Sequence, residues 1–208
     1  TVMTTPAARA IYTQTGLPDM GEIALNDLSV TGQVSIIVRG GTKTLNLSVD
    51  KLHVAACDCR RYSEQPQKYG VNVYQGALTV YNFNGDANSR LTASLTNISA
   101  GARNAPVLGS GIFVSGFGDQ SGLVALETLT TGAVYSTGML PYGTADLITA
   151  GVFIVYGVHA RRVEHFGEIV TYGVNDMVLD TWGTVETWIA HAPVVSYGPS
   201  GIGFVNFG

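Results

Sequence analysis

Hydrophobic and polar positions alternate in short runs along most of this chain, and Gly, Asn, Asp or Pro separates the runs. Such alternation over four to eight residues is typical of β-strands that bury one face. After Gly21 the pattern predicts strands that include Glu22–Leu25, Gln33–Val38, Thr44–Val49, Ala77–Tyr81, Gly111–Ser115, Val152–Tyr156, Glu168–Tyr172 and Met177–Thr181. The one helical candidate is a single turn in the Ala-rich stretch Thr5–Tyr12. The chain is therefore predicted to be all-β.

A twelve-residue pattern recurs three times in the last third of the chain. Each copy begins with Tyr-Gly and ends with an aromatic residue and Gly, at Tyr156–Gly167, Tyr172–Gly183 and Tyr197–Gly208. The second and third copies align without gaps at an offset of 25 residues, whereas the 16-residue offset of the first indicates an insertion or a corner shift. A repeat of this length with three short strands predicts one coil of a three-sided parallel β-helix, a β-solenoid.

At the level of the fold, the coil 168–192 and its echo in 193–208 resemble the pectin-lyase-like parallel β-helix proteins. The resemblance covers about the last two-thirds of the chain. It implies a solenoid that acts on polysaccharides as a lyase, hydrolase or transferase, or a phage tail protein. None of the catalytic motifs of those families is plainly present, so no catalytic residue follows from the resemblance. The alternative fold is a β-sandwich or jelly roll, which also has many short strands but does not require a gapless 25-residue echo.

We expect residues 1–208 to form a single β-solenoid domain. The stretch Ala56–Lys68 breaks the repeat and predicts a polar loop that leaves the solenoid. Gly208 closes the third copy in register, which leaves an apolar end without a cap. We therefore expect the domain to be part of something larger, in which a second protein chain or further C-terminal coils cover that end.

The inward face of the last coils is predicted from the alternation around the only acid in the strand 177–181. A charged group rarely faces a dry core, so the positions that alternate with Asp180 are expected to point inward. We expect these residues to be buried in one stack: Met177, Leu179, Ile202 and Phe204.

Composition excludes several classes of partner. The chain is 46% hydrophobic and 12% charged, about half the charged fraction of an average soluble domain. The net charge of −4 and the absence of a basic cluster beyond two Arg pairs argue against nucleic acid as a partner. The longest apolar runs fall well short of the ~20 residues of a membrane helix, so no membrane partner is expected. The low lysine content and the fold resemblance favour an extracellular or cell-surface location.

Two cysteines, Cys57 and Cys59, are separated by one residue, a spacing that is poor for a disulfide. We interpret them as small hydrophobic residues of one strand face, with a redox or metal contact as the alternative. There is no second Cys pair, no G-x-S-x-G, no nucleotide-binding loop and no H-E-x-x-H. We therefore expect no metal and no cofactor.

Candidate catalytic residues come from two segments. The stretch 159–165 holds two His, two Arg and a Glu, the acid, base and cation types that cleavage of a sugar chain requires. Two acids flank the strand 177–181 beside an aromatic residue, as on many sugar-binding surfaces. The alternative is that the first segment is a solvated strand with an exposed ion pair and that the second supplies turn chemistry. The candidates are Arg161, Glu164, His165, Asp176 and Asp180.

Aromatic residues that align at the repeat offset are the candidate substrate-binding groups. The pairs Tyr172 with Tyr197 and Trp182 with Phe207 stack by register, and would offer a platform for sugar rings if they face outward. If they face inward, they belong to the core. The candidate set is Tyr172, Trp182, Trp188, His191 and Tyr197. The function expected is a carbohydrate-active β-helix protein that binds or cleaves a glycan in a groove along the stack. The alternative is a non-enzymatic structural or adhesive solenoid that assembles with another chain.

Overall fold

The fold, seen in a computed structural model that describes residues 1–13 and 17–208, consists of β-strands and the turns between them. In chain order the first eleven strands are β1 (Val2–Met3), β2 (Arg9–Thr13), β3 (Asp19–Thr31), β4 (Gln33–Val38), β5 (Thr44–Ala56), β6 (Gln67–Lys68), β7 (Val71–Val73), β8 (Gly76–Asn82), β9 (Arg90–Ala100), β10 (Val107–Leu108) and β11 (Ser110–Ser115). The remainder are β12 (Leu123–Thr137), β13 (Leu147–Ile154), β14 (Val158–Ala160), β15 (Val163–His165), β16 (Ile169–Thr171), β17 (Asp176–Thr181), β18 (Thr184–Val185), β19 (Trp188–Ala190), β20 (Val194–Ser196) and β21 (Ile202–Asn206).

The prediction of an all-β chain is confirmed, and the predicted helical turn at Thr5–Tyr12 is wrong. Residues 9–13 form β2, whose backbone pairs in parallel with β4. The ladder to β4 provides partners for the backbone groups of this stretch, and tertiary pairing of this kind overrides the helical preference of a short Ala-rich segment.

The chain alternates between two parallel sheets, and each pass adds a strand to the same edge. The first sheet has the order β1-β3-β5-β9-β12-β14-β18, and β15, β16, β19 and β20 continue it beside β12. The second sheet has the order β2-β4-β8-β11-β13-β17-β21. Strand order therefore follows chain order in both sheets, which places equivalent positions of successive passes side by side.

The register predicted from the repeat is confirmed in the last passes. Residues 25 positions apart are parallel partners, as in Val163 with Trp188, Ile169 with Val194 and Leu179 with Phe204. The Tyr172 and Tyr197 rings stack with their centroids 5.7 Å apart. The 16-residue offset of the first copy arises because the Tyr156 ring stacks on Trp182. Tyr156-Gly157 is thus the counterpart of the aromatic-Gly end of the next copy, not of its Tyr-Gly start.

Single left-handed residues interrupt the long strands of the first sheet. Asp27, Lys51 and Asn97 have φ of 53°, 54° and 56°, and they occupy equivalent positions between the ladder pairs that join β3, β5 and β9. Because these residues lie opposite one another, the strands keep their register on both sides of them and none carries an extra residue. The extended backbone is therefore interrupted at the same place in all three strands.

The main core lies between the two sheets. Alternate residues of both sheets meet there, among them Val34, Leu45, Leu91, Leu126 and Val152. Cys57 and Cys59 are free and buried within it, as expected of small hydrophobic residues.

A second cluster covers the other face of the second sheet. Its largest members are the aromatic side chains of Tyr81, Phe113, Phe153, Tyr156 and Trp182. The segment between β5 and β8, which we call the strap (residues 57–75), lies over this face and contributes Val73 and the partly buried Val71. The prediction that this stretch departs from the repeat is confirmed. The stretch packs back onto the sheet, however, and does not extend into solvent.

The predicted single stack of inward residues is wrong in part. Met177 and Leu179 are buried, but Met177 belongs to the second cluster and Leu179 to the main core. Ile202 and Phe204 are 48% and 52% exposed. The reason is positional, because in the part of the chain that the structure describes β21 pairs with β17 on one side only.

Candidate functional site

A cavity of about 560 Å³ that gathers polar side chains lies beside the second cluster. The turns that follow β11, β13, β17 and β21 converge there with the tip of the strap. Its lining includes Lys68, Arg90, Asp119, His159, Trp182 and Phe207. The volume lies within the range of small-molecule sites, and a mostly apolar lining with a few convergent polar groups is their usual composition.

Glycine lets the successive turns approach closely enough to form this cavity. A Cβ on Gly157, whose φ is +70°, would lie 2.5 Å from the carbonyl oxygen of Gly118. A Cβ on Gly183 would lie 2.5 Å from the carbonyl oxygen of Val155. Gly157 and Gly183 are therefore required by backbone packing at the edge of the cavity.

Three aromatic rings meet at one wall of the cavity, where Trp182 and Phe207 belong to the lining and Tyr69 packs against both. Tyr69, at the tip of the strap, packs edge-on against Trp182 with centroids 5.7 Å apart and lies 5.1 Å from Phe207. Its hydroxyl donates a hydrogen bond to the carbonyl oxygen of Phe207 at 3.2 Å. Tyr69 and Phe207 are each 57% exposed, whereas Trp182 is 3% exposed. The two outer rings therefore offer apolar surface, and Trp182 is the buried support beneath them.

Charged groups stand around this wall. Lys68 pairs with Asp119 at 3.3 Å, and its ammonium group lies 5.3 Å from the Tyr69 centroid. The His159 Nε2 atom lies 2.7 Å from Glu186. Arg90 donates hydrogen bonds to the carbonyl oxygens of Ala87 and Ser89. The rim thus presents donors and acceptors around an apolar patch, an arrangement suited to a ligand with both hydroxyl groups and C–H faces.

The predicted catalytic residues do not converge on one point of the structure. Arg161 is exposed and pairs with Glu127 at 3.1 Å. Glu164 accepts two hydrogen bonds of 2.8 Å from Arg162 and lies 3.2 Å from His191 Nε2. The bonds from Arg162, supported by His191, lower the pKa of the Glu164 carboxyl to about 2. Glu164 is therefore an ionised member of a surface ion pair.

His165 is fully buried and hydrogen-bonded on both ring nitrogens. Trp188 Nε1 donates to His165 Nε2 at 2.7 Å, and Thr131 Oγ1 lies 2.8 Å from Nδ1. Since Nε2 accepts, the proton of the neutral ring is on Nδ1. Burial lowers the pKa of this imidazole to about 4. These contacts hold the first sheet together and also account for Trp188.

Asp176 organises a turn. Its carboxylate accepts hydrogen bonds from the backbone N–H groups of Gly138 (3.1 Å) and Gly173 (2.6 Å) and from the Thr149 hydroxyl. Burial raises its pKa, and these donors act in the opposite direction. The turn-chemistry interpretation of Asp176 thus has direct structural support.

The position of Asp180 differs most from the expectation drawn from the sequence. We expected it to share a solvent-facing side of its strand with Trp182. The ladder partner of Asp180, Phe153, belongs to the second cluster and packs on Trp182, so this side of the strand is covered and Asp180 is 1% exposed. Its Oδ1 atom is buried without a hydrogen-bond partner. Burial raises the pKa of this carboxyl to about 7.

The remaining candidates lie on the surface away from the cavity lining. Tyr172 donates a hydrogen bond to the carbonyl oxygen of Arg103 and stacks on the exposed Tyr197. His191 stacks on Phe166 with centroids 4.8 Å apart and an interplanar angle of 10°. Of the ten candidate residues, Trp182 is the one that lines the cavity.

Sequence reasoning missed Lys68, Tyr69 and Asp119. Lys68 and Tyr69 belong to a segment that breaks the repeat, so no alignment of coils placed them next to Trp182. The sequence did contain a signal for this turn, because Tyr-Gly between two short polar runs is a turn sequence. In the structure Tyr69 and Gly70 both have positive φ, as such a turn requires. Phe207 was predicted to stack on Trp182, but the Tyr69 ring contacts both.

Across residues 1–13 and 17–208, no group of three or more His, Cys, Asp or Glu side chains is placed to hold a metal ion. The same residues contain no helix long and apolar enough to cross a membrane. No protein-family model, curated protein or solved structure matches this chain.

Proposed function

We propose that this chain is a parallel β-solenoid that binds an oligosaccharide in the cavity beside the strap tip. The solenoid assignment is supported by strand order that follows chain order in both sheets and by the 25-residue register of the last passes. The binding assignment rests on one observation above the others. Two half-exposed rings, Tyr69 and Phe207, stand over buried Trp182 at a rim of paired charges.

Sugars suit this chemistry because their axial C–H groups pack on aromatic faces while their hydroxyl groups bond to charged and polar rims. The burial and pairing of the Asp and Glu carboxyl groups favour sugar binding over sugar cleavage. A glycosidase needs two carboxyl groups on opposite sides of the scissile bond. Among the described residues, the cavity lining contains one side-chain carboxyl group, Asp119, which is paired with Lys68. Of the acids predicted from the sequence, Asp176 and Asp180 are buried, and Glu164 is engaged by Arg162 and His191.

The test is binding to a panel of neutral and acidic oligosaccharides, measured by calorimetry or glycan array. Tyr69→Ala and Phe207→Ala should each weaken binding by about tenfold or more, since each stacking contact is worth roughly 1–2 kcal/mol. Tyr142→Ala is the matched control, because Tyr142 is 85% exposed and lies outside the cavity lining. Absence of binding to every glycan, or equal effects of all three substitutions, would refute the proposal.

A second candidate function is assembly with another chain or with further coils. The observation that favours it is the last pass, where Tyr197, Ile202 and Phe204 are 65%, 48% and 52% exposed. A groove of about 420 Å³ lined by Leu179, Trp188, Val194 and Phe204 runs along this end. Sedimentation should then show self-association that Phe204→Asp abolishes. A monomer at all concentrations would remove self-assembly as the function.

A further inference from the structure

Asp180 is a carboxyl group in surroundings that favour its neutral form. On the neighbouring strands its ladder partners are Phe153 and Val205. Its backbone position is on the side of β17 that carries Trp182, and Oδ1 has no hydrogen-bond partner. A buried carboxylate without a counter-ion is strongly disfavoured, and the hydrogen bond from the Thr181 backbone N–H offsets this only in part. The group therefore stays protonated, or the structure around it gives way.

In the part of the chain that the structure describes, the charged groups around this cluster are paired elsewhere, and none forms an ion pair with Asp180. The strap contributes Lys68, whose ammonium group lies over the Tyr69 and Tyr156 rings and pairs with Asp119 from the loop after β11. Glu64, further back in the strap, pairs with Arg9 and Arg39. Two tyrosines of the cluster, Tyr81 and Tyr156, have pKa values raised by burial and remain neutral.

The strap is held unevenly. At its end, Gln75 accepts a hydrogen bond from the buried Gln33 and donates one to Glu64. Strand β7 is fixed to the second sheet, because it pairs with β13. The tip that precedes it, residues 67–70, is held by its pairing with β7, by the Tyr69 ring against Trp182 and by the partly exposed pair of Lys68 with Asp119. The tip is therefore the part of the strap that can loosen while β7 and the main ladders stay in place.

We propose that Asp180 is a pH switch for the strap tip, which lies closed over Trp182 when Asp180 is neutral and loosens when it ionises. The tip supplies Lys68 to the cavity and holds Tyr69 against Trp182 and Phe207 of its lining, so the switch regulates the site of the proposed function and rests on that function for its consequence. A titration midpoint near neutrality is supported by the raised pKa of Asp180. The cavity is thus complete at mildly acidic pH and opens as the pH rises.

Hydrogen exchange of the strap tip tests the switch without any glycan. Exchange rates of peptides covering residues 66–73, corrected for intrinsic pH dependence, should rise at least fivefold between pH 5.5 and pH 8.5 in the unaltered chain. Peptides from β9, in the first sheet, should keep their protection. Asp180→Asn removes the charge and should leave the tip equally protected at both pH values.

A second variant keeps the test informative if Asp180→Asn does not fold. Asp180→Val introduces the residue that occupies the equivalent position of the next pass, Val205. It too should show protection that does not depend on pH. An unaltered chain with a pH-independent tip, or neutral variants that retain its pH dependence, would overturn the switch. Glycan binding is a separate readout, since the switch stands if the tip titrates and no glycan binds, and the proposed function stands in the converse case.

Discussion

At the scale of single residues, buried titratable groups are structural elements of this fold. His165 was a catalytic candidate because histidine, arginine and glutamate cluster around it in the sequence. In the structure the ring is fully buried between the Thr131 hydroxyl and the Trp188 indole, which hold it in one neutral tautomer. Its protonation therefore acts on stability.

The sign of that effect follows from the direction of the shift. The pKa of His165 is lowered from 6.5 to about 4 in the folded chain. Between these pH values the imidazole is protonated in the unfolded chain and neutral in the folded chain. Stability from this group is present above pH 6.5 and is lost as the pH falls towards 4, by about 3 kcal/mol in all. Urea unfolding at pH 7 and pH 4.5 should show a smaller loss for His165→Gln than for the unaltered chain. Equal losses would contradict the assignment of His165 as a buried neutral base.

The residue pattern predicted which residues are ladder partners more successfully than it predicted which residues are buried. Like residues stack on like, so the alignment of Tyr172 on Tyr197 and of Leu179 on Phe204 gave the observed neighbours. The burial of Asp180 could not be predicted in this way. Asp180 is buried beside the second cluster, which gathers residues from distant parts of the chain. The Tyr69 ring, for example, contacts Trp182 from more than a hundred positions away.

At the scale of elements, the strap is the departure from the repeat that creates the site. Glu64 joins it to the sheets, since its carboxylate meets Arg9 at 3.2 Å, contacts Arg39 and accepts a hydrogen bond from Gln75. The Arg9 guanidinium also lies 4.1 Å from the centre of the Tyr62 ring. One partly buried carboxylate thus ties two passes of the second sheet to the strap.

Glu64→Gln should loosen the whole strap. Its side chain is 14% exposed, and the substitution leaves two guanidinium groups without their carboxylate, so we expect a loss of about 1–3 kcal/mol in unfolding free energy. Glu127→Gln is the control, because the Glu127–Arg161 pair is largely exposed and should contribute less than about 0.5 kcal/mol. Chemical unfolding measures both, and equal small effects would show that the strap is held by apolar contacts alone.

At the scale of the whole molecule, the repeat predicted the register of the last passes, and a departure from the repeat contributes to the candidate site. The 25-residue offset was recognisable because every pass of an ordered stack faces the same neighbours. The cavity lies where several turns and the strap tip meet, and no single repeat unit contains it. The repeat pattern predicts features that all passes share, such as ladder partners. The candidate site depends on the strap, which only one pass has.

The measurement that tests the central claim most directly uses the two tryptophans of the chain as internal reporters. Trp182 lines the cavity, and Trp188 lies beside the main core with its indole N–H bonded to His165. In a two-dimensional NMR spectrum, a bound oligosaccharide should shift the Trp182 indole N–H signal and leave that of Trp188 in place, with Trp188→Phe used for assignment. A glycan that binds and moves the Trp188 signal alone, or neither signal, would contradict a sugar site beside the strap tip.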